Sequence, residues 1–408
     1  MELMNQPFSG QLGNRLIELL ESKNYHTLNI AVAFAKNSGV LRIKSALETF
    51  RAQGGEVNIF VGVDLGGTSY EALTALRQLA SSLNVVHSET GQTFHSKIYQ
   101  FLGKNSGLIV VGSHNLTGGG LWTNIESSMH IPIDRSRIEE KALVKGLDDY
   151  VQELQSIDAS FMEIKSQDDI ETLLLNEYVA KEVTEQVRRA KAAKQAGSRK
   201  RLFGNGVPAK LPRLTPKKKK KGPAVAAPTK KSATLLPKDD NQTIWFETKK
   251  LTGGSRNILD LSKKSLIEHG DPSGTPFDLG EPNFMRGGVE FFGLDPADTS
   301  KTKNIILNFD GTDYAGNTVL FPSGDKANGT WRLQIKGTDV ANRRITEAFT
   351  DKSATPYLVQ KIVTFTKIRD DYYFLSVFPE TELTNFKTAS RILARNGRTK
   401  SAKLLGLL

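Results

Sequence analysis

Apolar positions over the first 180 residues follow two alternating rhythms. TLNIAVAFA (27–35) and VNIFVGVD (57–64) are continuous apolar, β-branched runs of the kind that form buried strands. VLRIKSALETFRAQGG (40–55) and SYEALTALRQLASSL (69–83) instead repeat their apolar residues every three to four positions, which predicts amphipathic helices, the first stopped by glycine. Short strands follow at NVVHSE (84–89), HSKIYQFL (95–102), SGLIVVGS (106–113) and IESSMHIPI (125–133). Strands alternating with helices predict a layered α/β domain with a largely buried sheet. In such sheets functional groups gather at strand ends and the loops that follow.

The rhythm changes twice more. LLLNEYVAKEVTEQVRRAKAAKQA (173–196) has helical periodicity and ends at Gly197, and SRKRLFGNGVPAKLPRLTPKKKKKGPAVAAPTKK (198–231) has no periodicity at all. Beyond residue 240 come QTIWFET, GVEFFGLD, KNIILNFD, NTVLFPS, TWRLQIKG, YLVQKIVTFTKI and YYFLSVFP, read as short strands separated by Gly, Asp, Asn and Pro turns. That pattern predicts an all-β barrel or sandwich. The chain therefore divides into an α/β domain over 1–180, a helical extension and Lys-rich linker over 181–240, and a β-rich domain over 241–408. A length of 408 residues suits two cores and a tether.

Charge sharpens this division. The formal charge is +11, yet residues 181–240 alone hold 18 Lys/Arg against 4 Asp/Glu, so the remainder is slightly acidic. Residues 197–240 lack the apolar content to fold and are expected to be a disordered tether that also holds a polyanion by neutralising phosphates. No apolar run approaches a membrane span, the start lacks a signal peptide's regions, and no cysteine is present. The expectation is a cytoplasmic protein with no membrane partner and no thiolate chemistry.

The candidate chemistry lies between Phe94 and Ser128. Within a strand, His95 and Lys97 face the same way, an imidazole and an ammonium suited to an anionic substrate. The turn Gly112-Ser113-His114-Asn115 directly follows a strand and offers a hydroxyl and an amide to phosphate oxygens. Glu126, at the start of the next strand, is placed to bond a histidine ring nitrogen and fix its tautomer. His114, in the turn's variable slot, is read mainly as tolerated there, with a phosphate contact as the alternative. Trp122 is read mainly as packing and the glycines 118–120 as a close backbone passage.

This arrangement, HSK followed by GSHN and a glutamate 11 residues on, resembles the signature of the phospholipase D superfamily. The form VVGSHNLTGGGLWTNIE is most similar to the restriction endonucleases of that superfamily, over roughly residues 10–180. The aspartate often found downstream of the lysine is absent, since Leu102 and Gly103 occupy that region. The resemblance implies that His95 forms a covalent phosphohistidine, that Lys97 and Asn115 hold the non-bridging oxygens with Ser113 in support, and that Glu126 orients a histidine. No metal or other cofactor is implied. Superfamily members generally use two His-x-Lys motifs, whereas only His95 among six histidines here has a lysine two residues on. The resemblance thus implies a homodimer with one shared active site. Sequence-specific cleavage of double-stranded DNA is implied, with a cognate methyltransferase and a separate helicase-like ATPase as possible partners, ATP acting only through the latter; the alternatives are a nonspecific nuclease or phosphodiesterase and a non-catalytic DNA-binding protein.

By the same analogy the C-terminal domain resembles a B3-like pseudobarrel, which reads DNA through loops. Arginines on loops can read guanine edges bidentately. The candidates are Arg256, Asn257, Arg332, Arg343, Arg344, Arg391, Arg395, Arg398 and Lys400. The tail SRILARNGRTKSAK, with five basic residues and no acid, is the best single stretch for phosphate contact.

Overall fold

The computed structural model describes residues 1–157, 159–195, 202–204, 206–214, 242–249, 256–323, 329–353 and 355–408. The lysine block of the expected tether lies outside the described residues. The chain forms two compact units, the first built on Met1–Glu182 with part of the segment after residue 200, the second holding the rest.

In the first unit, buried runs become strands and amphipathic runs become helices in this order: β1 (Glu2–Gln6), α1 (Leu12–Glu21), β2 (Thr27–Val32), α2 (Asn37–Ala52), β3 (Glu56–Gly62), α3 (Tyr70–Leu79), β4 (Ser82–Val86), β5 (Lys97–Leu102), β6 (Ser106–Gly112), β7 (Glu126–Asp134), α4 (Ile138–Ser156), β8 (Phe161–Glu163) and α5 (Gln167–Leu175). They make one eight-stranded mixed sheet, ordered β1-β7-β6-β5-β2-β3-β4-β8. Strands β2, β3 and β4 run parallel, while β5, β6, β7 and β1 extend the sheet antiparallel. One face carries the main core, where Leu16, Leu47, Leu76, Tyr99, Phe101 and Trp122 pack. The other face packs Leu154 of α4 on Ala31 and Phe60, and Val144 on Ile109 and Ile133.

Part of the expected tether belongs to this unit. Leu211 packs against the main core, and the Pro212 carbonyl accepts from Arg42 Nε at 3.0 Å. The single long helix read over 173–196 is two: α5 stops at Asn176, Glu177 takes a left-handed conformation (φ 63°), and α6 (Glu182–Gln195) starts afresh.

The second unit holds α6 and eleven strands: β9 (Thr243–Thr248), β10 (Ile258–Leu261), β11 (Lys264–His269), β12 (Phe284–Arg286), β13 (Thr302–Phe309), β14 (Thr312–Leu320), β15 (Trp331–Gln334), β16 (Lys361–Arg369), β17 (Tyr372–Pro379), β18 (Ile392–Arg395) and β19 (Leu404–Leu407). Two short helices, α7 (Ile345–Lys352) and α8 (Leu383–Ala389), complete it. The sheet order is β10-β15-β14-β13-β17-β16-β9-β19-β18-β11-β12. Strands β10 and β11 stand near opposite edges of that order, yet only Ser262 and Lys263 separate them in the chain. Two residues span too little distance to cross a flat sheet, so the sheet must roll until its edges meet. The roll encloses a core of Phe246, Phe292, Trp331, Phe365 and Tyr373.

One expectation here is corrected. GVEFF is a 3-10 turn (Gly288–Phe292) rather than a strand, closed by Gly293 at φ 74°. The basic tail contributes to the β18–β19 hairpin inside the sheet.

Candidate active site

The motif residues meet at one end of the first sheet, where β5 begins, β6 ends and β7 begins. Strand β5 starts at Lys97, two residues later than its sequence suggests, because Phe94–Ser96 lie on an irregular approach. That approach is still fixed. The Ser96 carbonyl accepts from Ala33 N at 2.8 Å, and Asp64 accepts from Phe94 N at 3.2 Å while its other oxygen lies 2.7 Å from His87 Nδ1.

His95 is exposed, with the Phe34 ring edge-on at 6.0 Å between centroids. Lys97 is buried (8% exposed), and its Nζ reaches back to His95 Nδ1 at 2.7 Å and to the His95 carbonyl at 2.8 Å. An ammonium can only donate, so Nδ1 accepts and a neutral ring then carries its hydrogen on Nε2. Burial pushes the Lys97 ammonium below its ordinary range, and the Glu126 carboxylate pulls it back. A buried ammonium beside an exposed imidazole is suited to an anionic group.

The turn after β6 is stitched to the chain after β2. Leu116 N donates to the Phe34 carbonyl at 3.0 Å, and Lys36 N to the Leu116 carbonyl at 3.0 Å. Between them Asn115 Oδ1 accepts from Phe34 N at 3.1 Å, which fixes the amide and leaves its Nδ2 hydrogens for a ligand. Gly120 passes close behind: a Cβ there would meet the Asn115 carbonyl oxygen at 2.4 Å, so no larger residue fits. The expected close passage of the glycines is observed at this position.

Glu126 takes hydrogen bonds from the Ser113 hydroxyl and, at 3.1 Å, from Asn124 Nδ2. Among the described residues it bonds no histidine. Asn124 is in turn held through its carbonyl by Gln6 Nε2 at 3.0 Å. Gln6 is fully buried; the same amide nitrogen also meets the carbonyls of Gly119 and Gly120, and its Oε1 accepts from Leu12 N at 3.2 Å. Sequence reasoning missed Gln6 and Asn124. The available signal was an asparagine two residues before the glutamate.

Two other histidines are buried in structural positions. His114 is buried at 1% exposure with Nδ1 donating to the Gly120 carbonyl at 2.8 Å, and burial lowers its pKa. It braces the turn from behind, which leaves the alternative of a phosphate contact without support. His130 is buried on Ser128 Oγ. Trp122 is fully buried and donates to Asn14 Oδ1 at 3.0 Å, which rules out base stacking. Among the described residues, no other histidine bonds or stacks on His95, and no group of three or more His, Asp or Glu side chains is gathered to hold a metal.

Beside the site, the face of β1, β7 and β6 is open. Leu3, Met129 and Val111 lie in register across the three strands, exposed by 56, 38 and 43%. Ile125, next to Glu126, is 71% exposed.

The candidate DNA readers of the second unit divide into two groups. Arg332 pairs with Asp260, Arg343 with Asp351, and Arg395 with Glu268 at 2.6 Å while also donating to the Ala402 carbonyl. Asn257 is half-buried, its carbonyl accepting from Ile335 N at 2.9 Å. Arg256, Arg344, Arg391, Arg398 and Lys400 are exposed, with no acidic partner among the described residues. No described helix is long and apolar enough to cross a membrane.

No protein-family profile and no curated protein matches the chain. Among solved structures, it is similar to a phospholipase D family member, Nuc from Salmonella typhimurium, at 16% identity and a TM-score of 0.30, over 40% of this chain and 97% of that one. It is similar to NucT from Helicobacter pylori at 16% identity and a TM-score of 0.28, over 40% of this chain and 98% of that one. It is also similar to phosphatidylserine synthase from Haemophilus influenzae at 13% identity and a TM-score of 0.33, over 48% and 46%. All three scores lie below 0.5, and the side chains themselves carry every role assigned to them.

Proposed function

We propose that the protein is a DNA phosphodiesterase of the phospholipase D type, working through a covalent phosphohistidine. The observation that carries this reading is the juxtaposition of His95, Lys97, Asn115 and Glu126 at one sheet end, each fixed by a separate contact. A bound phosphate competes with Nδ1 for the Lys97 ammonium, which frees Nδ1 to hold the ring hydrogen and Nε2 to attack. Nε2 bonds to phosphorus, the P–O bond to the leaving oxygen breaks, and that oxygen takes a proton from a second histidine. Water then attacks phosphorus, gives its proton to the second histidine, and the P–N bond breaks. Lys97 and Asn115 Nδ2 hold the non-bridging oxygens throughout.

The second histidine is His95 of another copy in a homodimer with one shared site. The open apolar row of Leu3, Met129 and Val111, beside a site that holds only one free histidine, supports this. Glu126 then serves the opposing histidine, which fits its bonding none among the described residues.

The finer reading is a restriction endonuclease: the rolled β unit supplies the address on double-stranded DNA through Arg256, Arg344, Arg391, Arg398 and Lys400 as a B3-like domain. A cognate methyltransferase and an ATPase subunit are its expected partners. The test is incubation of the full protein with plasmid DNA in excess EDTA, with and without His95→Ala. Discrete fragments from the intact protein alone support the full reading. A smear keeps the nuclease and removes the address, and strict magnesium dependence refutes the phosphohistidine route.

A further inference from the structure

A second cation-lined feature lies at the opposite end of the first sheet. Strand β5 runs away from the site and ends at Leu102, level with the start of β6 at Ser106–Gly107 and the end of β7 at Asp134. Six residues of strand separate the two ends, roughly 20 Å at about 3.3 Å per residue. At this far end Lys104, Arg135, Lys141, Val144, Lys145 and Asp148 line one cavity. Four cations and one acid line it, and a second acid, Asp149, pairs with Lys145; the remaining excess of positive charge favours an anion.

The cavity has a fixed component and a free one. Arg135 is fixed: its Nη1 donates to the Gly103 carbonyl at 2.5 Å and its backbone N to the Asn105 carbonyl at 2.9 Å. Lys145 is held by Asp149 at 2.7 Å. Lys104 and Lys141 are exposed and have no acidic partner among the described residues. Val144 is buried, packing with Ile109 and Ile133, so α4 cannot swing away and disperse the charges.

We infer that this cavity is a phosphate-backbone docking site for DNA, separate from the catalytic end and blind to sequence. The lining includes no aromatic ring to stack a base and no glycine-rich backbone to enclose a terminal phosphate. Long cationic side chains on a shallow rim instead suit a run of diesters, whose oxygens stay partly hydrated. The inference rests on the nuclease reading for its ligand, but not on the catalytic mechanism.

The test measures binding of a fluorescent random-sequence duplex by anisotropy over 50–200 mM salt, using the full chain carrying His95→Ala to prevent cleavage. Lys104→Glu with Lys141→Glu is expected to reduce the slope of log Kd against log salt by about 2, since each lost phosphate contact removes roughly 0.9. Hydrolysis of bis-p-nitrophenyl phosphate by the same double variant in the His95 background stays at the parent level, which reports intact folding of the unit. An unchanged slope overturns the docking site and leaves the nuclease reading in place. Absence of duplex binding by the parent at every salt overturns both. Inorganic phosphate titrated into the parent perturbs Lys104 and Lys141 only weakly if diesters are the ligand. Tight phosphate binding with an unchanged DNA slope identifies a free-anion site and overturns the assignment to DNA.

Discussion

Gln6→Met tests how the catalytic turn is held. The substitution nearly preserves volume and removes one amide that touches four backbone groups. Two of them keep another partner: the Gly120 carbonyl still accepts from His114 Nδ1, and the Gly119 carbonyl from Asn124 N. The Asn124 carbonyl and Leu12 N lose the contacts that Gln6 supplied. Leu12 N is left buried and unsatisfied, while the carbonyl of the exposed Asn124 loses one bond that water can replace, together roughly 1.5–4 kcal/mol. For a unit of this size the midpoint is therefore expected to fall by roughly 10 °C, measured calorimetrically on the full chain. Catalysis should fall further than occupancy. Asn124 loses its anchor, Glu126 loses a fixed donor, and kcat drops about tenfold with KM little changed, an effect of roughly 1.4 kcal/mol on the transition state. A midpoint within 2 °C of the parent together with unchanged kcat refutes this reasoning, because it means the buried amide bears no part of the turn's energy.

Three further outcomes are expected. His95→Ala abolishes phosphodiester cleavage by on the order of 10³-fold or more, and chains mixed equally with it and allowed to exchange keep about one quarter of the activity if the site is shared, against about one half if each chain works alone. Glu71, pushed up to about 8 by burial and by the neighbouring Glu182 carboxylate, binds its proton more tightly folded than unfolded, so its contribution to stability is present at low pH and is lost as pH rises from about 4.5 through about 8. Glu71→Gln should therefore raise the unfolding midpoint at pH 8.5 and leave it nearly unchanged at pH 4, a difference that thermal scans at the two values would show or exclude. In the β unit, Arg344→Ala or Arg391→Ala should weaken binding to a cleaved site by about tenfold or more without lowering stability, while Arg395→Ala, which removes the pairing with Glu268 and the bond to the Ala402 carbonyl, should lower the midpoint instead.

What could be read from the sequence follows how local each signal is. The buried runs of β2, β3 and β6 carry their pattern within six or seven residues, and His95, Lys97 and the turn at 112–115 are short motifs. Helix α4 escaped notice because only Val144 and Leu154 of its 19 residues are buried, too few to mark an apolar stripe. GVEFF has the composition of a strand, and glycine on both flanks turns it into a 3-10 turn. Arginine roles were least legible of all. Arg395 meets an acid 127 positions away, a pairing that no local pattern announces. Gln6 was hidden for the same reason, since the carbonyls its amide nitrogen meets sit more than 110 positions along the chain.

The reach of Gln6 has a practical consequence for any shortened version of this protein. A fragment starting at residue 13 would retain His95, Lys97, Ser113, Asn115 and Glu126, and by inspection its catalytic motif would be intact. It would lack β1, Gln6 and Leu12, and with them the edge strand that pairs with β7 along Glu126–His130. The glutamate would then sit on a bare sheet edge, with its neighbouring loop unclamped. An inactive fragment of that kind would say nothing about the chemistry of the motif, and domain-mapping experiments should keep the first dozen residues with the catalytic unit.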